Sequence, residues 1–305
     1  MNENNKRNNM VQKPIPKILT LQALTFLHPG TGQTTGVVDL PVQREVHTQF
    51  PMYASSGLKG SLRDKAGQLD WGAELTTIFG GDTKNQSAGC LTLTDGRILA
   101  FPVRSLQQVF FWVTCPMVLQ RLVRDLQLFK IPVPGIEKLD AFGVEGDQVR
   151  LPESFGGEKV LVLEELALEV TKDAGVDALG KIIVKLTDEK AGFDPARLAV
   201  VTDDDFKYLV RYATQVSARI KLNEQKTTAN GGNLWYEETL PPETILYALA
   251  LCHKPRYSCE TINDVEQVAV KLEELAEDRY LQIGGNETVG QGWCGFKVYK
   301  EGEGV

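Results

Sequence analysis

An α+β fold, with helices on one face of an antiparallel sheet, is what this 305-residue chain predicts, on three observations. Strand-length apolar runs and helical repeats are mixed instead of alternating strictly, which argues against a parallel βαβ sheet. An Asp-Gly step sits between two β-type runs in "CLTLTDGRILAFPV", residues 90–103, the signature of an antiparallel hairpin. A hydrophobic content of 42%, with no heptad array and no internal repeat, suits one large core.

Taken in order, residues 1–13 are Asn-rich and polar, a frayed tail, and residues 14–305 read as a single domain. "IPKILTLQALTFLH" partly alternates and forms a first strand. Gly30, Gly32 and Gly36 then allow a tight turn and a close approach of backbone to a ligand. "VVDLPVQRE" extends, with Pro41 favouring a sheet edge. Ser55 or Ser56 caps a helix whose first turns carry Lys59 and Arg63 on one face. After the hairpin, "QVFFWVTC" is a buried strand and Pro116 opens a helix. Residues 136–195 carry one clear strand, "KVLVLEELALEV", and read as an acidic insertion outside the core. Residues 203–218 are helical with acids in the first turn, as the helix dipole prefers. Strands at "ARIKLNE", "NLWYEETL" and "TILYALALC" follow, then an amphipathic helix over 261–278 and a Gly-rich closing stretch.

Charge and cysteines narrow the function classes. The net charge of -7 argues against nucleic acid at first sight, because Lys and Arg supply phosphate binding. All of that excess lies in residues 136–195, whereas residues 207–226 carry net +4, so a basic strip coexists with an acidic lobe. The five cysteines have no CxxC or zinc-type spacing and read as reduced, mostly buried thiols. The first ten residues lack a signal-peptide core, and "ILYALALC" is too short to span a bilayer, so a cytoplasmic protein is expected.

Two Gly-rich stretches invite a nucleotide-binding reading, and neither has the context for it. Gly290, Gly292 and Gly295 match GxGxxG but lie within 15 residues of the end, and "GTGQTTG" is followed by an extended run instead of a helix. These loops and the helix entrance at 55–63 can instead present N–H groups to phosphates, although an ordinary capped helix explains the latter equally. Asp39 sits between apolar neighbours just after the loop, where a carboxylate can bind a metal, touch a ribose hydroxyl or simply hydrogen-bond a turn. His28 and His47 flank it, a pair able to act as acid and base on an RNA phosphodiester.

Together these motifs carry a resemblance. "LTFLHPGTGQTTGVVDLPVQREVHTQFP…SSGLKGSLR", "RIKLN…NLWYEETLPPET" and "IGGNETVGQGW", in this order from Leu21 to Phe296, resemble the backbone subunits of type III-B (Cmr) CRISPR effector complexes, of the RAMP superfamily. The resemblance implies a ferredoxin-like (RRM-like) palm with thumb and finger insertions, the thumb within 219–238. It implies copies stacked along a CRISPR guide RNA as a helical filament beside the other Cmr subunits. Each thumb would interrupt the guide–target duplex, and the subunit, as an endoribonuclease, would cleave single-stranded target RNA by 2'-hydroxyl attack with Mg2+ or another divalent cation. Carried over to this sequence, Asp39 is the catalytic and metal-binding carboxylate, with His28, Tyr236 and Glu237 as helpers. Ser55, Ser56, Lys59, Arg63, Arg44, Gly284, Gly285, Gly290 and Gly292 are the RNA contacts. The sequence departs from many relatives at Gly57, where they carry a second serine. Two other readings stand beside this one: a non-cutting RNA-binding scaffold of the same complex, and a stand-alone nucleotide-binding enzyme, which the failed Gly-loop contexts disfavour.

Overall fold

The computed structural model describes residues 12–302 apart from Thr34, 82–86, 222–233 and Ser258, so the expected tail lies outside the described residues up to residue 11. In chain order the elements are β1 (Ile15–Ala23), β2 (Met52–Tyr53), α1 (Ser55–Gln68), α2 (Ala73–Phe79), β3 (Leu91–Leu93), β4 (Gly96–Arg104), β5 (Phe110–Thr114) and α3 (Pro116–Phe129). Then come β6 (Gln148–Leu151), β7 (Val160–Leu163), β8 (Leu166–Lys172), α4 (Ala174–Leu186), β9 (Leu198–Val200) and α5 (Asp203–Tyr212). The chain ends with β10 (Gln215–Ile220), β11 (Leu234–Thr239), β12 (Ile245–Cys252), α6 (Val265–Glu274), β13 (Tyr280–Gln282) and β14 (Trp293–Val298).

Twelve strands form one mixed sheet in the order β13-β14-β1-β12-β4-β5-β9-β6-β8-β7, with β2 beside β4 and β3 beside β12, while β10 and β11 form a separate two-stranded ribbon. The central run β14-β1-β12-β4 is antiparallel throughout, and α1 and α6 lie in the two long connections. The expectation of a single covered face fails at β1. Residues 18–23 are all buried, and the polar donors among them are met: the Thr20 hydroxyl by the carbonyl of Leu186 and the Gln22 amide nitrogen by that of Ala191 at 2.9 Å and by Glu243 at 2.7 Å. Helix α4 and the turn after it therefore cover one side of β1, and α6 packs on β1 and β12.

Several local expectations are corrected. The Asp-Gly step does not fold β3 back on β4; both pair in succession with β12, Leu91 opposite Cys252 and Ala100 opposite Ile245. The Asp95 side chain is drawn elsewhere, its carboxylate accepting the N–H of Ser55 at 2.7 Å. That bond also explains why neither serine caps α1: Ala54 holds the cap position without a side-chain bond, and Asp95 serves from across the fold. "KVLVLEELALEV" is the hairpin β7–β8 instead of one strand, reversing at Glu164 with φ +50°. The expected helix over 203–218 stops at Tyr212, because Gln215 to Ile220 find a strand partner in β11. Helix α6 is shorter than expected, starting at a capping box of Asp264 and Gln267.

Residues 136–195 supply β6, β7, β8 and α4, and their buried side chains, Val149, Leu161, Ile183 and others, belong to one core with β1 and β12. Helix α3 explains the join: Val118, Leu119, Leu122, Val123 and Leu126 recur at helical spacing and are all buried. All five cysteines are free, four buried and Cys259 half-buried. Among the described residues no helix is long and apolar enough to cross a membrane.

Candidate active site

Asp39 lies where an irregular segment runs alongside β11. Leu40 bridges Glu237 in parallel, its N–H donating to Tyr236 O at 3.0 Å and its carbonyl accepting from Glu238 N at 3.0 Å. The Asp39 carboxylate itself accepts the N–H of Tyr236 at 2.8 Å. The side chain is half-buried, held at one oxygen by a main-chain donor and still within reach of solvent. Tyr236 is 44% exposed beside it.

His28 is only 7% exposed, and its Nδ1 lies 2.7 Å from the carbonyl oxygen of Glu238. A carbonyl can only accept, so Nδ1 carries a proton and Nε2 is the nitrogen left on the other side of the ring. That nitrogen packs against Gly30, where a Cβ would stand 2.6 Å away. The carbonyl of His28 accepts Gly285 N at 3.0 Å, and a Cβ at Gly284, whose φ is +83°, would lie 2.7 Å from the same oxygen. Glycine is therefore required at 284 both by conformation and by approach. Tyr53 fixes this loop from the other side, its hydroxyl accepting the N–H of Gly284 at 2.9 Å. Gly292 donates to Phe26 O at 2.8 Å, and a Cβ there would meet the carbonyl of Ile283 at 1.9 Å.

The two glutamates after Tyr236 are buried in opposite roles. Glu237 accepts from the Asn286 amide, which also donates to Gln291 at 2.9 Å, and stands 3.7 Å from the Arg219 guanidinium. Glu238 accepts the N–H of Val42 at 3.0 Å, the Thr214 hydroxyl at 2.8 Å and Arg44 at 2.5 Å, clamping the Asp39 segment to β11 and to the start of β10.

Of the residues singled out in the sequence, the structure thus gathers Asp39, His28, Tyr236, Glu237, Gly284, Gly285 and Gly292 around β11. Gly290 closes the short turn just before Gly292. His47 belongs to a different neighbourhood, exposed beside Arg121 and Glu45, so the two histidines are not partners. Arg44 is occupied by Glu238 and by the carbonyls of Gln49 and Val210. The basic pair on α1 is likewise engaged: Lys59 donates to Leu91 O at 2.9 Å and Arg63 to Gly80 O at 2.6 Å. Burial, with Arg63 close by, pushes the Lys59 ammonium below its ordinary value. Ser56 is exposed at the helix start and Ser55 half-buried.

Sequence reasoning missed four residues that build this site. Asn286 was visible as an Asn among glycines, and it adopts φ +64°, the left-handed region Asn tolerates. Tyr53, Glu238 and Arg219 act through contacts distant in sequence and gave no local signal. Among the described residues no group of three or more His, Cys, Asp or Glu converges to hold a metal. A single carboxylate, Asp39, is what this site offers a divalent ion, whose shell phosphate oxygens and water would have to complete.

Comparison with known proteins shows the family. The model of the RAMP superfamily matches residues 20–295. The chain is 36% identical to the CRISPR system Cmr endoribonuclease Cmr4 of Pyrococcus furiosus, over 90% of this chain and 93% of that protein. It superposes on a crystal structure of oligomeric Cmr4 from Pyrococcus furiosus with a TM-score of 0.70 at 29% identity, covering 94% of this chain and 98% of that one. A chain of the type III-B Cmr-beta complex bound to cognate target RNA shares the fold, with a TM-score of 0.74 at 20% identity over 95% and 99% of the two chains.

Proposed function

The chain belongs to the RAMP superfamily, and from that premise we propose that it is a guide-RNA-binding backbone subunit of a type III-B Cmr effector complex that cleaves complementary target RNA within the assembly. The observation that carries this reading is Asp39, held by the main chain of β11 on a segment that glycine-rich turns surround. The order β14-β1-β12-β4 with α1 and α6 as crossovers supports a ferredoxin-like palm. The β10–β11 ribbon supports a thumb, its apolar Val216, Ile220, Leu234 and Tyr236 all exposed. The tip of the expected thumb, 222–233, lies outside the described residues. On this reading copies of the chain stack along the guide, and each ribbon displaces one nucleotide pair.

An A-form duplex keeps a ribose 2'-hydroxyl out of line with its own 3'-phosphate. A nucleotide splayed by the ribbon is released from that constraint. Its 2'-oxygen attacks the adjacent phosphorus, the bond from phosphorus to the 5'-oxygen breaks, and the leaving oxygen takes a proton. The products are a 2',3'-cyclic phosphate and a 5'-hydroxyl. Asp39 orients the 2'-hydroxyl and takes its proton, and alignment supplies much of the acceleration. Asp39 is the residue that would hold a divalent ion, which would supply charge neutralisation at the phosphate. His28, through Nε2, and Tyr236 and Glu237, through their place beside Asp39, are the helpers in this reading. Sequence choice is left to base pairing, so the protein needs only a grip on the backbone, from Ser55, Ser56, Lys59, Arg63 and the glycine loops.

One observation favours a second reading: the Asp39 carboxylate already has a local partner in Tyr236 N, as a purely structural residue would. Reconstituting the complex with Asp39→Ala or Asp39→Asn and giving it matched target RNA with Mg2+ separates the two. Loss of cutting with guide and target binding intact supports the nuclease. Unchanged cutting removes Asp39 from the reaction, and a complex that no longer assembles assigns it to the scaffold.

A further inference from the structure

We propose that Arg219, with Trp235 opposite it, forms the seat for the phosphate that is cut, so that Arg219 is a further catalytic residue; this rests on the cleavage reading above. The β10–β11 register pairs Arg219 with Trp235 and Ser217 with Glu237, so these four side chains share one face of the ribbon. Asp39 lies at the edge of that ribbon, bonded to the main chain of Tyr236, the residue between Trp235 and Glu237.

Two donors on this face are unmet. Among the described residues, Arg219 Nε and Trp235 Nε1 are both shielded from solvent and neither has a hydrogen-bond partner. Folded chains rarely leave such groups unsatisfied, and two of them meeting across one strand pair point to an acceptor-rich ligand. The remaining contact of the guanidinium is loose, since Glu237 stands 3.7 Å away and is already bound by Asn286. Arg219 differs in this from Arg44, which bonds Glu238 and two carbonyls, and from Arg63, which bonds the carbonyl of Gly80. Its side chain is one-third exposed, so a strand of RNA can reach it.

A guanidinium presents donors in a planar fork that suits two non-bridging phosphate oxygens, and an indole N–H adds one more. Negative charge builds on those oxygens as the 2'-oxygen attacks. A cation on this face of the ribbon, at whose edge Asp39 lies, would stabilise that charge in the transition state more than in the bound substrate.

The test uses the reconstituted complex carrying Arg219→Gln, Arg219→Lys or Trp235→Phe in this subunit. Single-turnover cutting and target affinity are measured separately, on normal target RNA and on RNA with a phosphorothioate at the scissile position. Arg219→Gln should cut about 10²–10³-fold more slowly with affinity changed only a few-fold. Arg219→Lys should recover part of the rate, and the sulfur effect of the wild type should shrink in Arg219→Gln. Wild-type rates in Arg219→Gln, or a slower rate with an undiminished sulfur effect, overturn the proposal while leaving the cleavage reading intact. A wild-type complex that leaves matched target whole refutes both.

Discussion

The carboxylate of Asp39 and the main-chain nitrogen of Tyr236 are joined at 2.8 Å, so a loop residue from the first fifth of the chain moves with a strand nearly two hundred positions later. Rigid coupling of this kind is what a reaction limited by alignment requires. It also makes the glycines around the loop testable.

Gly30→Ala should impair cutting without unfolding the chain. The new methyl would stand 2.6 Å from His28 Nε2, so the ring must leave the Glu238 carbonyl, a cost of about 1–3 kcal/mol. Gly67→Ala is the control, because nothing lies within 4 Å of its Cβ and the helix should gain up to about 1 kcal/mol. Urea unfolding alongside a cutting assay reads both, and equal cutting by Gly30→Ala and wild type would show that the His28 position is not needed.

Arg44→Met should be among the most destabilising single changes near the site. The pair it forms with Glu238 is mostly buried, with side-chain exposures of 14% and 8%. Removing the cation alone strands a buried carboxylate, costing about 3–5 kcal/mol. Arg44→Met combined with Glu238→Gln should lose less than the single change, measured by denaturant midpoint, and a larger loss in the double variant would contradict this account.

Lys59→Gln with Arg63→Gln should weaken guide RNA binding and flatten its salt dependence by about one unit of slope for each RNA phosphate no longer neutralised. Because both head groups now bond to carbonyls of Leu91 and Gly80, the same pair of changes should also lower thermal stability. A titration at several salt concentrations separates the effects: a lower melting temperature with an unchanged salt slope would make these residues purely structural.

Acid should erase the benefit of the Arg121–Glu45 pair. Burial opposes the Glu45 charge, yet the Thr48 hydroxyl and Arg121 outweigh it and hold the carboxyl below its ordinary value of 4.5. A lowered folded value contributes stability above the unfolded value, and that contribution is lost as pH falls through the lowered one. Arg121→Gln should therefore be about 1.5–3 kcal/mol less stable than wild type at neutral pH. The gap should close as pH falls through the lowered Glu45 value, as followed by urea unfolding across pH. A gap that persists in acid would mean Arg121 acts through packing on Phe50, over which it lies at 5.7 Å.

Much of this site was legible because its motifs are local. Asp39 after a Gly-rich turn, the Pro116 helix start and the glycines at 284 and 292 each announce a backbone need within a few residues. The reading failed where a distant partner decided. Asp95 looked like a hairpin residue and is a helix cap for Ser55; Gln215 looked helical until β11 is placed beside it. Lys59 and Arg63 looked free, since nothing nearby shows that Leu91 and Gly80 will offer their carbonyls. The acidic middle was hardest, because charge on the outer face of α4 and β8 hides the apolar stripe that both bury.

That middle has a practical consequence for anyone shortening the protein. Strand β9 is flanked by β5 in parallel and by β6 in antiparallel pairing, and α3 and α4 both pack on residues 136–141. Excising the span would strip the lid from α3 and leave a raw apolar seam along β9, an invitation to edge-to-edge clumping. Trimming confined to its exposed loops, such as 156–159, is the route that keeps the product in solution.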